Sequence, residues 1–82
     1  MYVVVDNRQD VAAGYTASLN NEGIASLGFQ PGEFHEWFRA VAPSDIEAVQ
    51  SFVLGDFEGR SACPEMIRNR TQAPIIALSE IR

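Results

Sequence analysis

Four short, mostly apolar segments recur along the chain, and each ends at or just before a polar residue. Segments in which apolar and polar residues do not alternate are typical of strands buried on both faces of a sheet. The predicted strands are Tyr2–Val5, Ile24–Phe29, Ser51–Asp56 and Pro74–Ser79. The second contains alanine, serine and glycine, which have low strand preference.

Two longer segments between the strands have the spacing of amphipathic helices. The first, about Arg8–Asn21, ends before Gly23, a residue suited to a helix terminus. Its predicted inward-facing residues are Val11, Tyr15 and Leu19, with Ala12 beside them. The second helix begins at Pro31, a residue favoured in a first helical turn. Its predicted core residues are Phe34, Trp37, Phe38 and Val41.

Two shorter segments complete the pattern. Ser44–Glu47 has the sequence of a capping box and predicts a short helical turn. Pro64–Arg70 predicts a third helix, because its acidic residue comes early and its arginines come late. The order β-α-β-α-β-α-β predicts an α/β fold, a flavodoxin-like parallel sheet with helices on both faces. Four strands and three helices would form one domain over residues 1–82.

Polar side chains stand at the carboxyl ends of three predicted strands: Asp6 and Asn7, Asp56, and Ser79. In parallel sheets, ligands bind beyond these strand ends, so neighbouring strands would bring the four residues together. Two carboxylates and an amide are oxygen ligands of the kind that Mg²⁺ takes, and a carboxylate beside the metal can accept a phosphoryl group. The alternative is that these residues are solvated strand ends without a binding or catalytic role.

Composition narrows the function classes. The 82 residues carry a net charge of −5, and all six cations are arginines. An acidic domain lacks the basic face that nucleic-acid binding needs. No apolar segment is long enough to span a membrane, and no secretory signal is evident. One cysteine, Cys63, is expected to start a helix and makes a cytoplasmic setting the default.

The remaining chemistry-bearing side chains have ordinary expected roles. His35 is expected to be an exposed helix residue, and without a second histidine a zinc site is not predicted. Arg68, Arg70 and Arg82 are expected to form a solvated helix end and tail.

Three segments together resemble the receiver domains of response regulators, the CheY-like family. Val3–Asn7 is similar to the family's first strand and acidic pair. Ser51–Asp56 is similar to the third strand with its phosphoacceptor aspartate, and Ala73–Ser79 to the fourth strand with its switch hydroxyl. The first strand and Gly14-Tyr15 also resemble atypical OmpR-class regulators of motility genes, the Rem type.

The resemblance implies a signalling module of a two-component transcription regulator. Asp6, Asn7 and Asp56 would hold Mg²⁺, Asp56 would accept a phosphoryl group, and Ser79 would be the switch hydroxyl. The implied partners are a histidine kinase and a second copy of the chain. DNA would be bound only by a further domain after the 82 residues. Autophosphorylation from a phosphodonor is the only reaction implied, so an enzyme is not expected.

Departures from the family keep alternatives open. Asn7 replaces an acid, which removes one negative charge from the metal site and weakens its attraction for Mg²⁺. The family's phosphate-binding lysine and its last helix–strand–helix have no counterpart in the 82 residues. A module acting independently of phosphorylation, through dimerisation, is therefore the alternative mechanism. The apolar edge of the fourth strand predicts self-association. The alternative function is a flavodoxin-like domain that binds a small molecule or nucleotide.

Overall fold

The computed structural model describes residues 1–78, which form a four-stranded sheet in which all strands are parallel. The strands are β1 (Tyr2–Val5), β2 (Ser26–Phe29), β3 (Ser51–Leu54) and β4 (Ile75–Ala77). Their spatial order is β2-β1-β3-β4. This is the order of the first four strands of flavodoxin-like sheets, so the predicted fold class is confirmed.

Four helices connect the strands within the described residues, one more than predicted. They are α1 (Gln9–Asn21), α2 (Pro31–Ala40), α3 (Pro43–Glu47) and α4 (Cys63–Arg68). A turn of 3-10 helix precedes α4. The additional helix, α3, is the segment that was predicted as a single turn. Within residues 1–78, every helix is too short or too polar to traverse a lipid bilayer.

The capping box predicted at Ser44 is wrong. Helix α3 starts one residue earlier, at Pro43, and Ala42 is its N-cap. Proline is suited to the first helical position because it lacks the N–H that would have no partner there. A reach-back interaction of the capping-box kind occurs instead at α2, where Glu33 Oε1 accepts a hydrogen bond from the Gln30 N–H at 3.0 Å.

One face of the sheet, the α2–α4 face, packs against α2, α3 and α4. Its buried residues include the aromatic side chains predicted for α2, Phe34 and Phe38, which meet Phe52 of β3 at ring-centroid distances of 6.2 and 6.1 Å. The other buried residues of this face are Val3, Val5, Ile46, Val49, Leu54, Phe57, Cys63 and Ile67. Trp37 and Val41 are half-buried at its margin.

The opposite face, the α1 face, packs against α1 alone and buries Val4, Ala12 and Val53. The predicted inward residues of α1 are confirmed in part: Ala12 is buried and Leu19 packs against this cluster, whereas Tyr15 is 38% exposed. The reason is the close approach of α1 to β2. A Cβ at Gly28 would lie 3.2 Å from Cγ2 of Thr16, which is tighter than ordinary van der Waals contact, so the helix and the strand are closely packed here.

Two arginines predicted to be solvated are bonded to backbone carbonyls. Arg70 at the end of α4 donates hydrogen bonds to the carbonyls of Phe38 and Val41, and its guanidinium lies 5.1 Å from the Phe38 ring centroid. Arg68 donates to the carbonyl of Ala73, just before β4. Since Arg70 bonds carbonyls at the end of α2, it joins the carboxyl ends of two helices.

Candidate functional site at the carboxyl edge of the sheet

The carboxyl ends of β1, β3 and β4 lie side by side, as the sequence predicted. The hydrogen-bond ladder continues beyond the strands, with Gly55 N–H donating to Val5 O at 2.7 Å and Leu78 N–H donating to Leu54 O at 2.8 Å. Because Val5 pairs with Leu54, Asp6 follows at the level of Gly55. Asp56 is one residue further along the chain. Neighbouring strand ends therefore bring Asp6, Asn7 and Asp56 to one edge of the sheet.

Asp6 is a buried carboxylate, with only 3% of its surface exposed. Its Oδ1 accepts a hydrogen bond from the Arg8 N–H at 2.8 Å and lies 3.9 Å from Nε of Arg8. A carboxylate is expensive to bury unless hydrogen bonds and opposite charge compensate it. The turn after β1 supplies both, so Asp6 is held in place by its own loop.

Gly55 provides the space that the Asp6 side chain occupies. A Cβ at position 55 would lie 2.0 Å from Oδ2 and 2.6 Å from Cγ of Asp6, far inside van der Waals contact. Only glycine at this position leaves room for the buried carboxylate. This role was not predicted from the sequence. The available signal was a glycine between an apolar strand and an aspartate.

Asp56 has a different environment from Asp6. It is exposed after β3, and so is Asn7 after β1, whereas Asp6 is buried. The exposed position of Asp56 makes its carboxylate accessible to a reactant from solvent. Ser79, the candidate switch hydroxyl, lies outside the described residues.

The donor set predicted for Mg²⁺ consists of oxygen ligands, which suits the chemistry of that ion. One oxygen of Asp6 is already engaged by Arg8. Among residues 1–78, no group of three or more His, Cys, Asp or Glu side chains is placed to hold a metal ion. The assignment of Asp6, Asn7 and Asp56 to Mg²⁺ therefore stays a prediction.

Arg60 is a second residue of this edge whose role was not predicted from the sequence. It opens the 3-10 turn after β3, and its Nη1 donates hydrogen bonds to the carbonyl oxygens of Gly55, at 3.2 Å, and Leu78. Gly55 directly precedes Asp56 in the sequence, and Leu78 directly precedes Ser79. An arginine following Gly59 was visible in the sequence, but its reach to β4 was not.

Cys63 and His35 have the ordinary roles predicted for them. Cys63 begins α4 and is buried, and this burial raises the pKa of its thiol above the usual value. Since the thiolate is the nucleophilic form, a raised pKa makes the thiol unreactive at neutral pH. His35 is exposed on α2.

A cleft of about 250 Å³ lies beside this edge, between α1, β2 and the start of α2. Its polar lining comes from Gln9, Thr16, Gln30 and Glu33. Glu33 already accepts a hydrogen bond from the backbone of Gln30. The cleft is on the β2 side of β1, whereas Asp56 follows β3 on the other side. The cleft therefore adjoins Asp6, whose N–H donates to the carbonyl of the lining residue Phe29 at 3.1 Å, but it lies on the opposite side of β1 from Asp56.

Comparison with known proteins gives one group of relatives. The chain is 40% identical over 80 residues to proteins named flagellar transcriptional regulator FtcR from Brucella abortus (strain 2308), Brucella suis biovar 1 (strain 1330) and Brucella melitensis biotype 1. The match covers 98% of this chain and 35% of the length of each relative. No family model matches the chain, and no solved structure matches it significantly. The chain is thus similar to about a third of a flagellar transcriptional regulator.

Proposed function

We propose that this chain is a receiver-like regulatory module of a transcription regulator that controls flagellar genes. The observation that carries the proposal is the 40% identity, over nearly the whole chain, to proteins with that name. The chain spans 35% of their length, and its net charge of −5 is unsuited to DNA contact. In this proposal, DNA is bound by another part of a longer regulator.

Within that module, the carboxyl edge is the signal-receiving site. Asp56 accepts a phosphoryl group from a histidine kinase or a small phosphodonor, with Mg²⁺ held by Asp6, Asn7 and Asp56. Support comes from the adjacency of the strand ends, the buried carboxylate of Asp6 and the exposure of Asp56. Ser79 is proposed as the switch hydroxyl because it directly follows Leu78 in the sequence, and Leu78 ends the described β4 ladder.

A phosphorylation-independent mechanism is the competing form of the same function. It is supported by Asn7, which supplies no charge, and by Arg8, which already binds one oxygen of Asp6. Regulation would then depend on association between copies of the chain. The proposed contact is β4, the edge strand of the described sheet, whose Ile76 is 44% exposed.

The phosphoryl reaction is tested on the 82-residue chain with acetyl phosphate or phosphoramidate and Mg²⁺. Mass spectrometry is expected to show one added phosphoryl group, lost when Mg²⁺ is removed and in Asp56→Asn. Asp45→Asn is the matched control, because Asp45 is an exposed aspartate in α3, away from the edge. No uptake, or uptake that survives Asp56→Asn, would contradict the phosphoacceptor role of Asp56.

The regulatory role is tested separately in cells. Disrupting the gene that encodes this chain is expected to change the level of flagellar transcripts, measured by quantitative RNA analysis. An Asp56→Asn substitution in that gene then distinguishes the mechanisms, since phosphorylation-independent regulation would survive it. Unchanged flagellar transcripts after complete disruption would contradict the proposed function itself.

A further inference from the structure

Arg60 links two strand ends at the carboxyl edge. Its Nη1 donates hydrogen bonds to the carbonyl of Gly55, at 3.2 Å, and to the carbonyl of Leu78. Gly55 ends the β3 ladder, and Leu78 ends the β4 ladder. One half-buried guanidinium group therefore joins the residue before Asp56 to the residue before Ser79.

This anchoring uses only part of the guanidinium. An arginine side chain has five N–H donors in a planar fork, and both observed hydrogen bonds come from Nη1. Within residues 1–78, Nε and Nη2 of Arg60 have no hydrogen-bond or ion-pair partner. Two donors side by side in this geometry match two oxygens of a phosphate or carboxylate group.

The carboxyl edge carries negative charge, so an anion can bind there only if a positive group such as the Arg60 guanidinium offsets the repulsion. Asp6 and Asp56 both bring negative charge to neighbouring strand ends, and this charge repels an incoming anion. The charge of Asp6 is partly compensated by Arg8, which lies in the loop after β1. Arg60 brings positive charge to the β3–β4 side of the edge, where Asp56 follows Gly55.

We propose that Arg60 is an oxyanion-binding residue of the carboxyl edge, and that Nε and Nη2 bind phosphoryl oxygens beside Asp56. The two carbonyl contacts of Nη1 hold the group in place before the anion arrives, so little side-chain entropy is lost on binding. The identification of the anion as phosphoryl rests on the proposed function, whereas the donor geometry does not.

The test is a titration of the chain with inorganic phosphate without Mg²⁺, followed by the NMR amide signals of Gly55, Asp56, Phe57 and Leu78. Arg60→Gln is expected to raise the half-saturating phosphate concentration about tenfold, because a charge-assisted pair of hydrogen bonds is lost. Arg60→Lys, which keeps the charge without the fork, is expected to lie between the wild type and Arg60→Gln.

Arg68→Gln is the matched control. Arg68 also donates to a backbone carbonyl beside β4, but at Ala73, which precedes the amino end of that strand. Its substitution is expected to leave phosphate affinity unchanged. The proposal is overturned if phosphate shifts none of the four amides in the wild type, or if Arg60→Gln and Arg68→Gln bind phosphate equally well.

The outcome is independent of the phosphoacceptor test. If phosphate binding depends on Arg60 but acetyl phosphate adds nothing to Asp56, the anion site stands and the phosphoacceptor role fails. If Asp56 is phosphorylated while Arg60→Gln leaves phosphate affinity unchanged, the role of Arg60 fails alone. If far-UV circular dichroism shows that Arg60→Gln does not fold, the phosphate affinity of Arg60→Lys is compared with that of the wild type instead.

Discussion

Among residues 1–78, eleven apolar residues are buried in the α2–α4 face of the sheet and three in the α1 face. The first group includes four phenylalanines, and the second consists of two valines and one alanine. Three helices cover one face, while a single helix covers the other. The buried apolar surface, and with it the hydrophobic stabilisation, is concentrated on the α2–α4 face.

The α1 face keeps apolar side chains at the surface instead. Tyr15 on α1 is 38% exposed and Ile76 on β4 is 44% exposed. Ile76 of β4 pairs in register with Val53 of β3, which is buried. The exposed apolar surface of this face therefore begins on the strand next to its buried core. The α2–α4 face exposes one large apolar side chain among residues 1–78, Leu27 at 39%, so the two faces differ in degree. The α2–α4 face supplies most of the buried apolar surface, and the α1 face offers more apolar surface for contact.

The largest expected effect is on the stability of the α2–α4 face. Phe34→Ala is expected to lower the free energy of unfolding by about 3–5 kcal/mol, because it removes a fully buried ring and leaves a cavity. Leu19→Ala, on the half-buried side of α1, is expected to cost about 2 kcal/mol or less. Urea denaturation monitored by circular dichroism measures both losses.

This prediction has a clear negative outcome. Equal losses for Phe34→Ala and Leu19→Ala would show that the α1 face contributes as much stability as the α2–α4 face. An exposed substitution on α2, Arg39→Gln, serves as the control and is expected to change stability by less than about 0.5 kcal/mol.

The fold was predictable because it depends on periodicity. Buried strands such as Tyr2–Val5 and the stripe of Phe34 and Phe38 are specified by local apolar pattern, and these predictions are confirmed. The exposure of Tyr15 on α1 was not predictable in the same way. It depends on how closely α1 approaches Gly28, and spacing within a helix contains no information about a neighbouring strand.

The sequence predicted which residues lie at the candidate site, but it did not predict their side-chain contacts. Asp6 and Asp56 follow strands, so the parallel order alone places them at one edge. The packing of Asp6 against Gly55 and the reach of Arg60 to Leu78 join residues far apart in sequence. Nothing in the local pattern indicates such pairs. Arg68 and Arg70 are exposed, as predicted, but their hydrogen bonds to backbone carbonyls could not be predicted.

The second prediction tests whether the open part of the α1 face associates. Ile76→Lys places a charge on the exposed side of β4 and is expected to weaken self-association of the chain about tenfold, measured by sedimentation velocity over a concentration series. The matched control is Leu27→Lys. Leu27 is 39% exposed on β2, the edge strand at the opposite side of the sheet.

Leu27→Lys is expected to associate like the wild type, because its side chain pairs in register with Val3 on the α2–α4 face. A wild-type chain that remains monomeric throughout the series would contradict association through β4. Equal weakening by both substitutions would also contradict it, since association would then not distinguish the two edges.

The smallest expected effect is a pH dependence within the α2–α4 face. Burial raises the pKa of the Cys63 thiol above its ordinary value of 9.0. Below pH 9.0 the thiol is protonated in both the folded and the unfolded chain, so its full contribution to stability is present. Above that pH the unfolded chain releases the proton first, and stability is lost as pH rises towards the folded pKa.

The expected slope is at most about 1.4 kcal/mol per pH unit above pH 9. Cys63→Ala is the comparison: it lowers stability at every pH through the cavity it creates, but it removes the thiol titration. The difference between the two unfolding free energies should therefore shrink as pH rises above 9.0. Parallel curves would mean that the thiol ionises as readily in the folded chain as in the unfolded one, and that the α2–α4 face admits water at the start of α4.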